Sequence, residues 1–78
     1  MIDLLKNIDK IHTTELGLIR LKKNLSLAVD DIVSWCIETT KKADRIINKG
    51  KNWYVYKDGI VITINISSYT IITAHKIK

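Results

Sequence analysis

Near residue 50 the hydrophobic pattern of this chain changes period, and few architectures accommodate the change. Up to Ala43 apolar residues recur every three or four positions, the spacing of a helix face; from Asn52 they alternate with polar ones, the spacing of a strand. In the middle of the alternating half stands Asp58-Gly59, two residue types that tolerate the positive φ angles of a tight hairpin. The pattern predicts an α+β domain in which about three N-terminal helices pack on a C-terminal three-stranded antiparallel meander.

Leu4, Leu5, Ile8 and Ile11 place a first helix over residues 2 to 11. His12-Thr13-Thr14-Glu15 then reads as a helix start, with either threonine able to cap the free amides and the glutamate favoured by the helix dipole. The second helix runs to about Leu25, with a broad apolar face of Leu16, Leu18, Ile19, Leu21 and Leu25; Gly17 within it implies close approach by another element. Val29, Ile32, Val33, Cys36, Thr40 and Ala43 mark a third helix. It ends near Asp44, or at Lys49-Gly50 if Ile46 and Ile47 continue it.

Strands are expected over residues 52–57, 60–66 and 69–76, joined by two-residue turns at Asp58-Gly59 and Ser67-Ser68. Unbroken alternation then fixes the faces. Trp53, Val55, Ile60, Ile62, Ile64, Ile66, Tyr69, Ile71, Thr73 and His75 fall under the helices, and Asn52, Tyr54, Tyr56, Val61, Thr63, Asn65, Thr70, Ile72, Ala74 and Lys76 on the opposite face.

Seventy-eight residues suffice for one domain, 1–78, with a small core. A lone cysteine, Cys36, excludes an internal disulfide, and its apolar neighbours make it a core residue. No signal peptide and no membrane span are recognisable, so a cytoplasmic protein is expected. Net charge is +5, and it is unevenly spread: residues 1–48 carry eight Lys/Arg against seven Asp/Glu, residues 49–78 five Lys against Asp58 alone. A basic strand half suits a polyanionic partner, RNA or an acidic protein, although lysines also serve simply to keep a surface solvated.

The groups with chemical reach gather in that half. Lys49, Asn52, Tyr54, Tyr56, Thr63, Asn65, Thr70 and Lys76 are candidate contacts to nucleic acid or a partner, because aromatic rings beside lysines stack bases and neutralise phosphates. Cross-strand pairing accounts for the same Tyr and Thr residues without any ligand. His75, Lys51 and Thr73 are the candidate catalytic set, since an imidazole exchanges protons near neutral pH; simple alternation nevertheless turns His75 towards the core, and only a bulge would reverse it. His12, beside the threonine cap, reads as structural. No metal-ligand spacing, phosphate-binding glycine loop or nucleophile elbow occurs, so neither metal nor cofactor is expected.

Two stretches resemble known families. Ile11-His12-Thr13-Thr14-Glu15-Leu16-Gly17 leading to Lys22-Lys23-Asn24-Leu25, with Gly50-Lys51-Asn52-Trp53-Tyr54-Val55, Ile62-Thr63-Ile64-Asn65 and Ser68-Tyr69-Thr70-Ile71-Ile72-Thr73-Ala74-His75-Lys76, resembles a family of short bacterial proteins known as a domain of unknown function. The second stretch is also similar to the C-terminal sheet of the barnase, EndoU, colicin and RelE ribonucleases. That likeness implies metal-free RNA cleavage through a 2′,3′-cyclic phosphate, with Asn65, Thr73 and His75 at matching positions and Lys51 as a phosphate contact. The chain departs from that group in having no acidic base in its strands and only three expected strands. The expectation is a small basic RNA-binding protein, a toxin-type ribonuclease in its sharpest form. The alternative is a non-enzymatic interaction protein, such as a phage or mobile-element inhibitor of a host nucleic-acid-binding defence system. A homodimer is compatible with either.

Overall fold

A computed structural model describes residues 4–25 and 31–77. Two α-helices, α1 (Glu15–Leu25) and α2 (Ile32–Lys41), precede four strands, β1 (Arg45–Lys49), β2 (Asn52–Lys57), β3 (Ile60–Asn65) and β4 (Ile71–Lys76). The strands form one antiparallel meander in the order β1-β2-β3-β4. The fold is therefore α+β as expected, with one helix fewer and one strand more.

The missing helix is the first. Residues 4–7 form turns and Ile8–Lys10 a single 3-10 turn, after which Ile11 is extended; residues 2 and 3 lie outside the described part. Leu4 and Ile11 are buried and Ile8 packs half-buried against the same core, while Leu5 is exposed. A helix this short has too few internal bonds to outweigh its nucleation cost.

The fourth strand comes from the segment that the helical period would have absorbed. α2 starts at Ile32, with Asp31 as its cap accepting from Ser34 N at 3.0 Å and from the Ser34 hydroxyl at 2.8 Å, and stops at Lys41; residues 29 and 30 lie outside the described part. Ile46 and Ile47 then pair with Val55 and Tyr54 in a hairpin whose turn uses Gly50 at φ 64°. β-branched residues suit this half-buried edge better than a helix end.

Asp58 and Gly59, at φ 48° and 76°, make the predicted tight turn, and the β2–β3 register follows as counted, with Lys57 opposite Ile60. The β3–β4 connection is longer than two residues. Asn65 faces Thr70 through Asn65 N–H to Thr70 O at 2.9 Å, and Tyr69, at φ 59°, returns its N–H to Asn65 O at 2.9 Å. The register matches the expected one as far as Ile64 opposite Ile71, then slips by one, so that Thr63 faces Thr73, Ile62 faces Ala74 and Val61 faces His75. Ile72 is the additional residue of a β-bulge. Beyond it every expected assignment reverses: Thr73 and His75 leave the helix-covered face, Ala74 enters it and is fully buried, and Lys76, opposite Ile60, moves to its margin.

Trp53, Val55, Ile62, Ile64, Ile71 and Ala74 meet Leu21 and Leu25 of α1, Ile32 and Cys36 of α2, and Leu4 and Ile11 in one core. Each large aliphatic side chain so buried contributes about 1.5–3 kcal/mol. Leu16 and Ile19, expected in the apolar face of α1, are instead 70 % and 62 % exposed, because α1 turns Gly17, Leu21 and Leu25 inwards at a spacing of four. A Cβ on Gly17 would collide with the Thr13 hydroxyl and sit 3.6 Å from Ile71 O, which is the close approach its presence implied.

Candidate nucleic-acid interface

The face of the sheet away from this core is built in three transverse rows, which follow from the pairings. At one end Arg45, Tyr56, Val61 and His75 stand side by side across all four strands. Ile47, Tyr54, Thr63 and Thr73 make the middle row. At the other end Lys49, Asn52 and Asn65 continue into Thr70, and a parallel bridge adds His12 beyond it, so that five backbone segments contribute one polar side chain each.

His12 reaches this position because its N–H donates to Tyr69 O at 3.1 Å and its carbonyl accepts from Ile71 N at 2.7 Å. The threonines that follow divide their work. Thr13 Oγ1 donates to Ile71 O at 3.2 Å, while Thr14 Oγ1 accepts from Gly17 N at 3.0 Å and caps α1. Both polar groups of Ile71 are thereby satisfied on the side away from β3, and α1 lies against β4.

Tyr54 and Tyr56 are two residues apart on one strand, so their rings rise from the same face about 6.5 Å from each other. With Ile47, Lys49, Gly50, Lys51 and Asn52 they line an open hollow of about 640 Å³. Lys49 and Lys51 are exposed in its wall and Arg45 is exposed opposite Tyr56, and neither salt-bridge contacts nor hydrogen bonds to acidic groups engage them among the described residues. Lys57, in contrast, is held between Asp44 at 3.9 Å and Asp58 at 3.4 Å. A second hollow of about 260 Å³ lies between α2 and the β2–β3 turn, with Trp35, Glu38, Lys42 and Asp58 in its wall; its mixed charge gives no preference for an anion.

Of the expected contacts, Lys49, Asn52, Tyr54, Tyr56, Thr63, Asn65 and Thr70 share this face, with Thr63 largely covered by its neighbours, and Lys76 does not belong to it. The expected catalytic set is spread out. His75 and Thr73 do reach the face, but the His75 row and the Asn65 row are four residues apart along β3, about 13 Å, and Lys51 lies beyond the latter, its carbonyl accepting from Ile66 N at 2.9 Å. The imidazole at the Lys51 end is His12. Arg45, Ile47 and His12 join the face without a signal in the sequence: the first two because β1 hides in a helical period, the last because a one-residue bridge leaves no periodic trace.

Cys36 is fully buried, and burial pushes its thiol up to about 12, so it takes no part in this surface. Among the described residues no three His, Cys, Asp or Glu side chains converge, and no helix is long and apolar enough to cross a membrane.

Fold and surface together define a small α+β domain with one sheet face packed and the other open, aromatic and basic at its rim. The chain belongs to the family described as "Protein of unknown function (DUF3781)", which matches residues 5–75. No curated protein and no solved structure matches it.

Proposed function

We propose that this protein binds single-stranded RNA on its open sheet face. The observation that carries the reading is the placement of Tyr54 and Tyr56 on one face of β2, flanked by Arg45 on β1 at one end and by Lys49 and Lys51 at the other. Half-buried rings offer flat apolar surface to unpaired bases, and the cations follow the phosphate chain. Binding fits this arrangement better than cleavage, because His75 and Lys51 stand too far apart to act on one phosphate.

The test is fluorescence anisotropy of a labelled RNA oligomer titrated with the protein and with Tyr54→Ala and Tyr56→Ala. Each variant should bind roughly five- to a hundredfold more weakly, the loss expected for one stacked base. Wild-type affinity in both variants would remove the basis of the proposal. Labelled RNA that disappears in EDTA with wild type but not with His75→Ala would add cleavage to it.

One observation favours a second reading, a protein partner. Leu16 and Ile19 are exposed on α1 beside exposed Arg20 and Lys23, a surface suited to an acidic amphipathic helix. Pull-down that survives Tyr54→Ala and fails with Leu16→Asp would favour that partner over RNA.

A further inference from the structure

The β3–β4 turn carries a chain of polar side chains that is one proton short. Its links are Asn65 Oδ1 to Ser68 Oγ at 3.1 Å, Ser68 Oγ to Thr70 Oγ1 at 2.8 Å and Thr70 Oγ1 to His12 Nε2 at 3.2 Å. The two ends are fixed as acceptors. Asn65 Oδ1 already accepts from Ser68 N at 3.0 Å, which sets the amide orientation. His12 Nδ1 lies 2.9 Å from Lys10 O; a carbonyl only accepts, so Nδ1 carries a proton, and in the Nδ1–H tautomer Nε2 presents a lone pair. Only the two hydroxyls then have protons to give, and there are three links to fill. In that tautomer one acceptor in the cluster is left for an outside donor.

This decides what kind of group fits there. A phosphate oxygen brings no proton to the unfilled link. A ribose 2′-hydroxyl both donates and accepts, and it is the group by which a protein distinguishes RNA from DNA. The cluster is exposed and sits at the end of the Lys49–Asn52–Asn65–Thr70–His12 row, in line with the rim cations. We infer that His12, Thr70 and Ser68 form a ribose-reading contact, with the 2′-hydroxyl donating into the cluster and its oxygen free to accept in return. The inference rests on the nucleic-acid reading above and specifies its substrate as RNA.

The probes are three oligonucleotides of one sequence: RNA, DNA and 2′-O-methyl RNA, the last keeping the ribose oxygen but losing its proton. Anisotropy is read with all three probes in one buffer. Wild type should prefer RNA to 2′-O-methyl RNA roughly two- to tenfold, the worth of one neutral hydrogen bond. His12→Ala and Thr70→Val should each bring that ratio to one, with circular dichroism reporting that the variants are folded. Equal binding of RNA and 2′-O-methyl RNA by wild type overturns the ribose contact and leaves nucleic-acid binding standing. Failure of all three to bind overturns both.

Discussion

His75 stands directly across from Val61, one place further along than unbroken alternation would put it. The single inserted residue responsible, Ile72, is 41 % exposed, and its being left unpaired decides that the methyl group of Ala74, not an imidazole, lies under the helices. Deleting Ile72 should leave Thr73, Ala74 and His75 opposite Thr63, Ile62 and Val61 in a ladder without a bulge, since only the unpaired residue is lost. No core side chain changes face, so denaturant unfolding should move by no more than about 1 kcal/mol. A loss of several kcal/mol would mean that Ile72 is not the extra residue.

The salt dependence of RNA binding should report the rim cations. Three contacts from Arg45, Lys49 and Lys51 predict a slope of log K against log salt of about −2, at roughly −0.7 per phosphate on a single strand. Lys49→Ala or Lys51→Ala should each make the slope shallower by roughly 0.7, with little regard to sequence. A slope unmoved by either variant would place the phosphates elsewhere.

Thr13 and Thr14 are adjacent, and their hydroxyls do unlike things, one donating to the edge of β4 and the other accepting at the start of α1. Thr14→Ala removes a helix cap and should cost about 1 kcal/mol. Thr13→Val leaves Ile71 O without its donor and should cost a similar amount, about 1 kcal/mol. For a domain of this size each corresponds to a fall of roughly 4–8 °C in Tm by calorimetry. If only one variant melts early, the division of labour is wrong.

Cys36 should behave as a reporter of unfolding. Burial raises its thiol from 9.0 to about 12, so native protein should resist a thiol reagent at pH 8 and react only after denaturation. The sign of the pH effect follows from the same shift. The folded state holds the proton more tightly than the unfolded one, so this contribution to stability is complete below about 9 and declines as pH rises towards 12. Rapid modification of folded protein would contradict the burial.

The parts of the fold legible in the residues were those with local chemical reasons. Asp58-Gly59 named its own turn, and alternation from Asn52 carried the register as far as Ile71. The rest was decided by tertiary needs. Ile46-Ile47 fits a helix period and an edge strand equally, and it was the open side of β2 that took it up. A bulge has no periodic signature, so alternation puts Thr73, His75 and Lys76 on the wrong faces, whereas it places Tyr54, Tyr56, Thr63 and Asn65, which lie on β2 and β3 before the bulge, where the structure has them. Leu16 and Ile19 satisfied a helical pattern without being core, because periodicity counts apolar residues and not the elements available to cover them.

The way His12 and Thr13 occupy Ile71 bears on how the protein can assemble. Their bonds, with α1 behind them, shut one margin of the sheet, while among the described residues no strand pairs with the outer side of β1. A ribbon that lengthens without limit needs two free margins on every unit, as fibrils do. This unit has one. Pairing of β1 with β1 from another copy would consume the free margin of both, so growth by strand addition ends at two copies, and Arg45 and Lys49 along that margin oppose even this step by mutual repulsion.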